Sequence, residues 1–501
     1  MLDLSPTATA KGAIDTKALR WRTLDGQTGV LHRGDGGAWH ATRGWTDDAD
    51  TTRITVGARS DGAIKIGDAS APRIAFDVRE TTFTANGARL FGRLTLPRDT
   101  AAVPVIVDVH GSENYSATAN YPTQRLYPAA GVGSFVYDKR GTGRSSGKYT
   151  QDFQVLAVDA GAAVRAARAV GGRRVARIGL SGASQGGWIA PLAAASEPVD
   201  FVIVSYGLIT SPLRQNHDQT VLEVARRGFG ASDQAAAGEV ADAAGEIMRT
   251  RYASGFDRLA ALRAQYGTRP WFAQLSGQFT GVVLKHSAFV LRMIGKLSDV
   301  HTSWDYDGTA AIERLATPSL WLFGGADILA PSDSTRAILA RLAAEGNPIT
   351  VSVLPGADHG MRVFTAEADS ARKYTGVSPS YYSVLISYAK SEKRAREARQ
   401  EDKTRDRRTR QENASPFHSH PPISMLYLAP RQLLLVGNST KSRIAASRPA
   451  PVFNAPHHPA RHAALGFHRL AGRVPTFNTR CAHDSTPYHP GRRRLCWRRT
   501  P

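Results

Sequence analysis

The 501-residue chain is 42% apolar and carries 64 Lys+Arg against 43 Asp+Glu, a net charge of +21, which is enough apolar material for the cores of two or three globular domains. The basicity is uneven: residues 391–501 hold 22 Lys+Arg and 7 Asp+Glu, a net of +15, which leaves +6 for residues 1–390. Both cysteines, Cys481 and Cys496, lie in that tail, which excludes a disulfide framework and a cysteine nucleophile from the first 390 residues.

The opening, "MLDLSPTATAKGAIDTKALRW", has no apolar core of the signal-peptide kind, and no run approaches the roughly 20 apolar residues of a membrane span. As written, the chain is expected in the cytoplasm, or exported if the true start lies upstream. Residues 1–75, rich in Thr, Gly and Asp with short alternating stretches such as "TRITVGA" and "GAIKIGD", read as a β-rich accessory module. From about residue 77 the pattern becomes α/β. "DVRETTFTANGARLFGRLTLP" reads as two strands around an Asn86-Gly87 turn, and "PVIVDVH" as a strand covered on both faces. "GVGSFVYD", "VARIGLS", "VDFVIVSYG", "PSLWLFGG" and "PITVSVLPG" follow, with helical stretches between them. One of these has apolar side chains at Phe153, Leu156, Ala157, Ala160, Val164 and Ala167, close to a 3.6-residue period. Such alternation predicts a doubly wound, mostly parallel sheet built from residues 76–207 and 313–392. Residues 208–312 show helical stretches and no strand, and read as a helical cap over the ligand edge of the sheet. Residues 393–501 form a basic tail of Pro, His and Arg clusters without periodicity, to which no fold is assigned.

Two segments fit G-x-S-x-G: Gly143-Arg-Ser145-Ser-Gly147 and Gly182-Ala-Ser184-Gln-Gly186. A nucleophile elbow needs a strand that ends in a sharp turn into a helix, with small neighbours around the serine. "VARIGLS" and "QGGWIAPLAAAS" supply strand and helix around Ser184, with Gly182 and Gly186 as the elbow glycines. Ser145 lies in a polar run well past its strand and reads as a loop residue that shapes the pocket. "GTGRSSG" is not a dinucleotide loop either, because its third glycine falls one position late.

A triad on such an elbow places the acid and the histidine after the serine in chain order. Asp327 in "LWLFGGADILAP" and His359 in "VSVLPGADHGM" each follow a late strand and satisfy that order. Asp333 is the alternative acid, Asp327 then being a helix cap, and His359 could instead be a surface histidine beside Asp358. Upstream, "VDVHGSENYS" places His110-Gly111-Ser112 at the end of an early strand, where the Ser112 N–H could join that of Gln185 in an oxyanion hole. The other reading makes His110 a hydrogen-bonded packing residue.

With these pieces the sequence resembles the α/β-hydrolase superfamily, and within it the bacterial serine carboxylesterases related to dienelactone hydrolases and acyl-peptidases. The resemblance rests on "RLFGRLTLP", "VDVHGS", "YDKRGTGRSSG", "GASQGGW" and "GGADILAP…GADHG", within residues 77–390. In such relatives the loop around Ser145 is structural. The departures are Glu113 and Asn114 in the oxyanion loop, and the tail.

The expected activity is hydrolysis of a small-molecule carboxylic ester, with a short-chain acyl ester as the leading substrate and acyl-peptide or amide hydrolysis as the alternative, with no cofactor and no metal. Trp271, Phe272 and Phe279 are either walls of an acyl pocket or the cap's own core. No specific nucleic-acid partner and no membrane are expected. The alternative of another class is a nucleic-acid or anionic-surface binder acting through the tail. Cys481, His483, His489 and Cys496 match no familiar zinc spacing, and a shifted reading frame near residue 395 would also produce such a tail.

Overall fold

The near-continuous apolar runs become the middle of one eight-stranded sheet. A computed structural model describes residues 2–8, 14–34, 39–49, 64–66, 69–98, 101–366 and 372–391. The tail, with its cysteine and histidine set, and the stretch "TRITVGA" lie outside the described residues. An antiparallel N-terminal sheet holds β1 (Leu2–Ala8), β2 (Ile14–Thr23), β3 (Thr28–Arg33) and β4 (Trp39–Ala41), around a small core of Trp21, Leu31 and Ala41. A short hairpin follows, β5 (Ile64–Ile66) with β6 (Ala69–Ala71).

The large sheet contains β7 (Phe76–Ala85), β8 (Ala88–Pro97), β9 (Val103–Val109), β10 (Gly133–Tyr137), β11 (Val175–Ala183), β12 (Phe201–Ser205), β13 (Ser319–Gly324) and β14 (Ile349–Leu354). Their order is β14-β13-β12-β11-β9-β10-β8-β7, with β8 antiparallel to both its neighbours and every other pairing parallel. β7 and β8 join at Asn86 and Gly87, both at positive φ (42° and 71°), the backbone that a two-residue hairpin turn requires and that this residue pair tolerates.

Alternation along the strands sorts side chains to two faces. Val105, Val107 and Val109 pack with α3 (Phe153–Gly171), α4 (Gly186–Ala194) and α11 (Asp333–Ala344); Ile106, Phe201 and Leu322 pack with α2 (Thr123–Ala129), which follows the short α1 (Ala117–Asn120), and with α12 (Tyr381–Ser391). Helix α3 buries the periodic set read from the sequence, Phe153 to Ala167, and starts at Asp152, whose carboxylate caps the N–H groups of Gln154 and Val155. This is the expected doubly wound sheet.

Between β12 and β13 the described residues form helices only: α5 (Pro212–Arg226), α6 (Ala231–Arg249), α7 (Phe256–Tyr266), α8 (Thr280–Lys285), α9 (Ala288–Ser298) and α10 (Thr309–Glu313). They enclose a core of their own that includes Val240, Ile247 and Trp271, with Phe272 and Phe279 packed against it. The acyl-wall reading of these three aromatics therefore gives way to the core reading: in an alanine-rich bundle they are the bulk that fills the interior. Gln215 of α5 donates to the Leu329 carbonyl (3.0 Å), which ties the insertion to the loop after β13. No helix among the described residues is long and apolar enough to cross a membrane.

A hairpin that the sequence reading did not anticipate, β15 (Arg362–Ala366) with β16 (Arg372–Val377), follows β14. The loop after β10 is tied to α3 by a buried two-point ion pair, Arg140 Nε to Asp159 Oδ2 at 2.7 Å and Nη2 to Oδ1 at 2.6 Å. Asp159→Ala leaves the guanidinium buried without its anion and is expected to cost about 3–5 kcal/mol in urea unfolding; a loss below about 1 kcal/mol would show that the pair is not holding the loop.

Candidate active site

Parallel neighbours deliver their carboxyl ends to one rim of the sheet, and the candidate residues gather there. β11 ends at Ala183 and α4 begins at Gly186, so Ser184 occupies the turn between them, with φ at +52°. A serine in the left-handed region is strained by roughly 1–3 kcal/mol and persists only where its surroundings fix it. Here its N–H donates to the Ser205 carbonyl of β12 (3.0 Å) and its own carbonyl accepts from Gly187 (2.8 Å). The flanking glycines are steric requirements. A Cβ on Gly182 would collide with the Gly186 carbonyl oxygen, and one on Gly186 would sit 2.5 Å from the Val109 oxygen.

Ser184 Oγ lies 3.0 Å from His359 Nε2, and His359 Nδ1 lies 2.9 Å from Asp327 Oδ2. Asp327 follows β13, with its other oxygen accepting the N–H groups of Leu329 and Ala330, both at 2.9 Å. Its orientation is therefore fixed independently of the histidine. The alternative acid, Asp333, projects into solvent from the first turn of α11 and pairs with Arg336. His359 opens a 3-10 turn after β14, and the edge of the Tyr206 ring closes on its imidazole with centroids 4.9 Å apart. Its neighbour Asp358 is drawn elsewhere. That carboxylate accepts the His359 backbone N–H, Tyr374 Oη and Arg372 Nη1. Burial alone would raise its pKa, but hydrogen bonds from Arg372 and Tyr374 outweigh this and hold it below the usual range.

Ser145 lies away from this chain of contacts. Its hydroxyl donates to the Asp138 carbonyl (2.6 Å) and accepts from the Phe91 N–H (2.9 Å), pinning the loop to β8. The backbone N–H of Gln185 has no acceptor among the described residues. A Cβ built on Gly111 would lie 3.6 Å from Ser184 Cβ, so the Gly111–Ser112 segment passes over the elbow. Ser112 is exposed, and its carbonyl accepts from Tyr149 Oη (2.6 Å). Sequence reasoning missed Tyr149, Tyr206, Arg372 and Tyr374; their only signal is an aromatic or basic residue in a loop or short hairpin. No group of three His, Cys, Asp or Glu among the described residues could hold a metal ion.

His110 is the packing residue of the second reading. Its Nε2 donates to the Tyr137 carbonyl, its ring packs against Tyr121 and Tyr137, and Nδ1 is buried without a hydrogen bond. Burial, partly offset by Glu113, lowers its pKa to about 4.

A family model described as Hydrolase_4, serine aminopeptidase S33, matches residues 100–227. Similar solved structures include the Pyrococcus furiosus esterase Pf2001 (15% identity, 57% of this chain and 84% of that chain, TM-score 0.34). The esterase EaEST from Exiguobacterium antarcticum is 17% identical over 62% of this chain and 99% of its own, with a TM-score of 0.36. The Mycobacterium smegmatis proline iminopeptidase is 16% identical over 62% and 97%, with a TM-score of 0.38. No curated protein sequence gives a significant match.

Between about pH 6.5 and pH 4 the unfolded chain binds a proton at residue 110 that the folded chain refuses, so the stability carried by neutral His110 falls as pH falls, by up to about 1.4 kcal/mol per unit. Buried Asp108, raised to about 7, slopes the opposite way, so the comparison must be a difference between variants. In urea unfolding at pH 7 and pH 5, His110→Gln is expected to lose less stability over that interval than the wild type. Equal losses would show that residue 110 is already charged in the folded protein.

Proposed function

We propose that this chain, a member of the α/β-hydrolase superfamily by its sheet order and its family-model match, is a serine hydrolase that cleaves carboxylic esters through an acyl-enzyme. The observation that carries the reading is the continuous contact from Ser184 Oγ through both nitrogens of His359 to Asp327, at 3.0 and 2.9 Å. Ser184 attacks the ester carbonyl while His359 Nε2 accepts its proton. Asp327, bound at Nδ1, holds the imidazole in the tautomer that leaves Nε2 free to do so and stabilises the imidazolium that forms. The N–H groups of Gln185 and Ser112 receive the developing oxyanion. The tetrahedral species then collapses, His359 protonates the leaving alkoxide, and water repeats the sequence on the acyl-enzyme.

We propose a short-chain acyl ester as the leading substrate, and favour an ester over an amide because an alkoxide leaves more readily than an amine, which must be protonated first. Amide or acyl-peptide hydrolysis is the second reading, favoured by the aminopeptidase description of the matching family model. We propose no cofactor, and no nucleic-acid or membrane partner, for this chemistry.

Ser184→Ala is expected to lower the turnover of p-nitrophenyl acyl esters by about 10⁵-fold or more. Ser145→Ala should keep near-native kcat while losing about 1–3 kcal/mol of stability, because it strands the Phe91 N–H. The opposite pattern of activity would remove Ser184 from the role of nucleophile. Turnover of aminoacyl anilides with no turnover of esters would replace the esterase reading with the amidase one.

A further inference from the structure

The Gly111–Ser112 peptide is the part of the proposed oxyanion hole that the elbow does not itself fix. An added Cβ on Gly111 would lie 2.7 Å from Glu113 Oε2, closer than a side chain is tolerated, while its ordinary contacts with the Ala183 oxygen (3.4 Å) and Ser184 Cβ (3.6 Å) place the peptide against the elbow. Glycine also leaves the peptide free to turn over. In a trans peptide the C=O and the following N–H point in opposite directions. A turned-over peptide would therefore present the Gly111 oxygen to the reacting centre instead of the Ser112 N–H, and repel the charge that develops there.

One side chain decides between the two orientations. Lys139, buried just after β10, places Nζ 2.5 Å from the Gly111 oxygen and 3.3 Å from the Glu113 oxygen. Its ammonium also lies 5.3 Å from the centroid of the Tyr149 ring, the residue whose hydroxyl takes the intervening Ser112 carbonyl. All three carbonyls of residues 111–113 are thus held by donors. A buried ammonium is costly without compensation, and Glu113, half-buried and bonded to Tyr121, provides the opposite charge. Burial lowers the pKa of Lys139 to about 8, with Glu113 opposing the shift.

We propose that Lys139 is the positioning residue of the oxyanion hole: by binding the Gly111 carbonyl it locks the peptide plane with the Ser112 N–H turned toward Ser184. The inference rests on the hydrolase reading above. It accounts for a cation beneath a loop that also carries Glu113, whose charge would otherwise oppose an oxyanion.

The test is a double-mutant cycle on ester turnover in the full chain. Lys139→Gln removes the cation, and Ser112→Pro removes the N–H itself. Each is expected to lower kcat by about 10²-fold with KM within about threefold, and the double variant should be no slower than the slower single one, because both remove the same interaction. Lys139→Arg should recover a large part of the loss. Additive losses, or a Lys139→Gln enzyme with native kcat, would overturn the proposal. Circular dichroism and urea midpoints establish folding. If Lys139→Gln does not fold, Lys139→Met, which likewise removes the cation, takes its place in the cycle and is judged by the same rule. If Ser112→Pro does not fold, the readout becomes affinity for a trifluoromethyl ketone, which forms the same tetrahedral oxyanion reversibly. That affinity must fall with kcat in the Lys139 variant, and an unchanged affinity overturns the proposal. Wild-type labelling of Ser184 by a fluorophosphonate separates the two levels. An unlabelled, inactive wild type defeats the hydrolase reading and this inference with it, whereas a labelled wild type with additive losses defeats this inference alone.

Discussion

The left-handed backbone at Ser184 is the constraint from which the rest of the site follows. It is unfavourable in isolation and is held by elements on both sides: the Ser205 carbonyl of β12 takes the serine N–H, and the turn packs so closely on Val109 of β9 that only glycine fits at position 186. The hydroxyl is thus fixed to the sheet itself. His359 and Asp327 need no separate guide, because they leave β14 and β13, parallel strands whose ends share the same rim.

Carboxylates crowd this region, and the structure keeps them apart by giving each its own donors. Asp327 accepts two backbone N–H groups and the imidazole. Asp358, one residue before the histidine, is turned onto Arg372 and Tyr374 of the following hairpin. Asp138 accepts from Thr118, Ser116 and the Arg144 N–H, while Asp159 is bound by Arg140. A second carboxylate on an imidazole favours the ring that is already protonated, which has no free nitrogen to accept the serine proton. The β15–β16 hairpin therefore contributes to the site by withdrawing Asp358 from it.

Much of this was legible in the residues, for reasons that also mark the limits. Strands covered on both faces must be apolar throughout, so β9, β10, β12 and β13 announce themselves locally. The elbow is legible because its glycines are a local steric need. The choice between Asp327 and Asp333 follows from proximity to a strand end, again a local property. What escaped was non-local. Lys139 looks like any residue of a polar loop until its ammonium is found under the Gly111 carbonyl, 28 residues earlier in the chain. Arg372 and Tyr374 sit in a hairpin too short and too polar for periodicity to separate from a loop. Trp271, Phe272 and Phe279 show how a pocket wall and a bundle core have the same composition, so that only packing tells them apart.

The helical insertion meets the site through its return strand of chain rather than through its aromatic core. The Val300 carbonyl accepts the N–H of Gln151 (2.7 Å), Thr302 Oγ1 donates to the Gln151 side chain (2.9 Å), and Ser303 Oγ accepts the N–H of Phe153 at the start of α3 (3.0 Å). Gln151 in turn donates to Tyr149 Oη, which holds the Ser112 carbonyl. Thr150 Oγ1 also donates to the Val300 carbonyl and the Ser303 N–H to the Gln151 carbonyl, and at about 0.5–1.5 kcal/mol net for each bond these contacts resist any motion that lifts residues 300–303 from the start of α3. A hinge placed there would also pull on the loop that passes over Ser184. The seam therefore acts as a fixed edge that holds the Gly111–Ser112 segment through Gln151 and Tyr149.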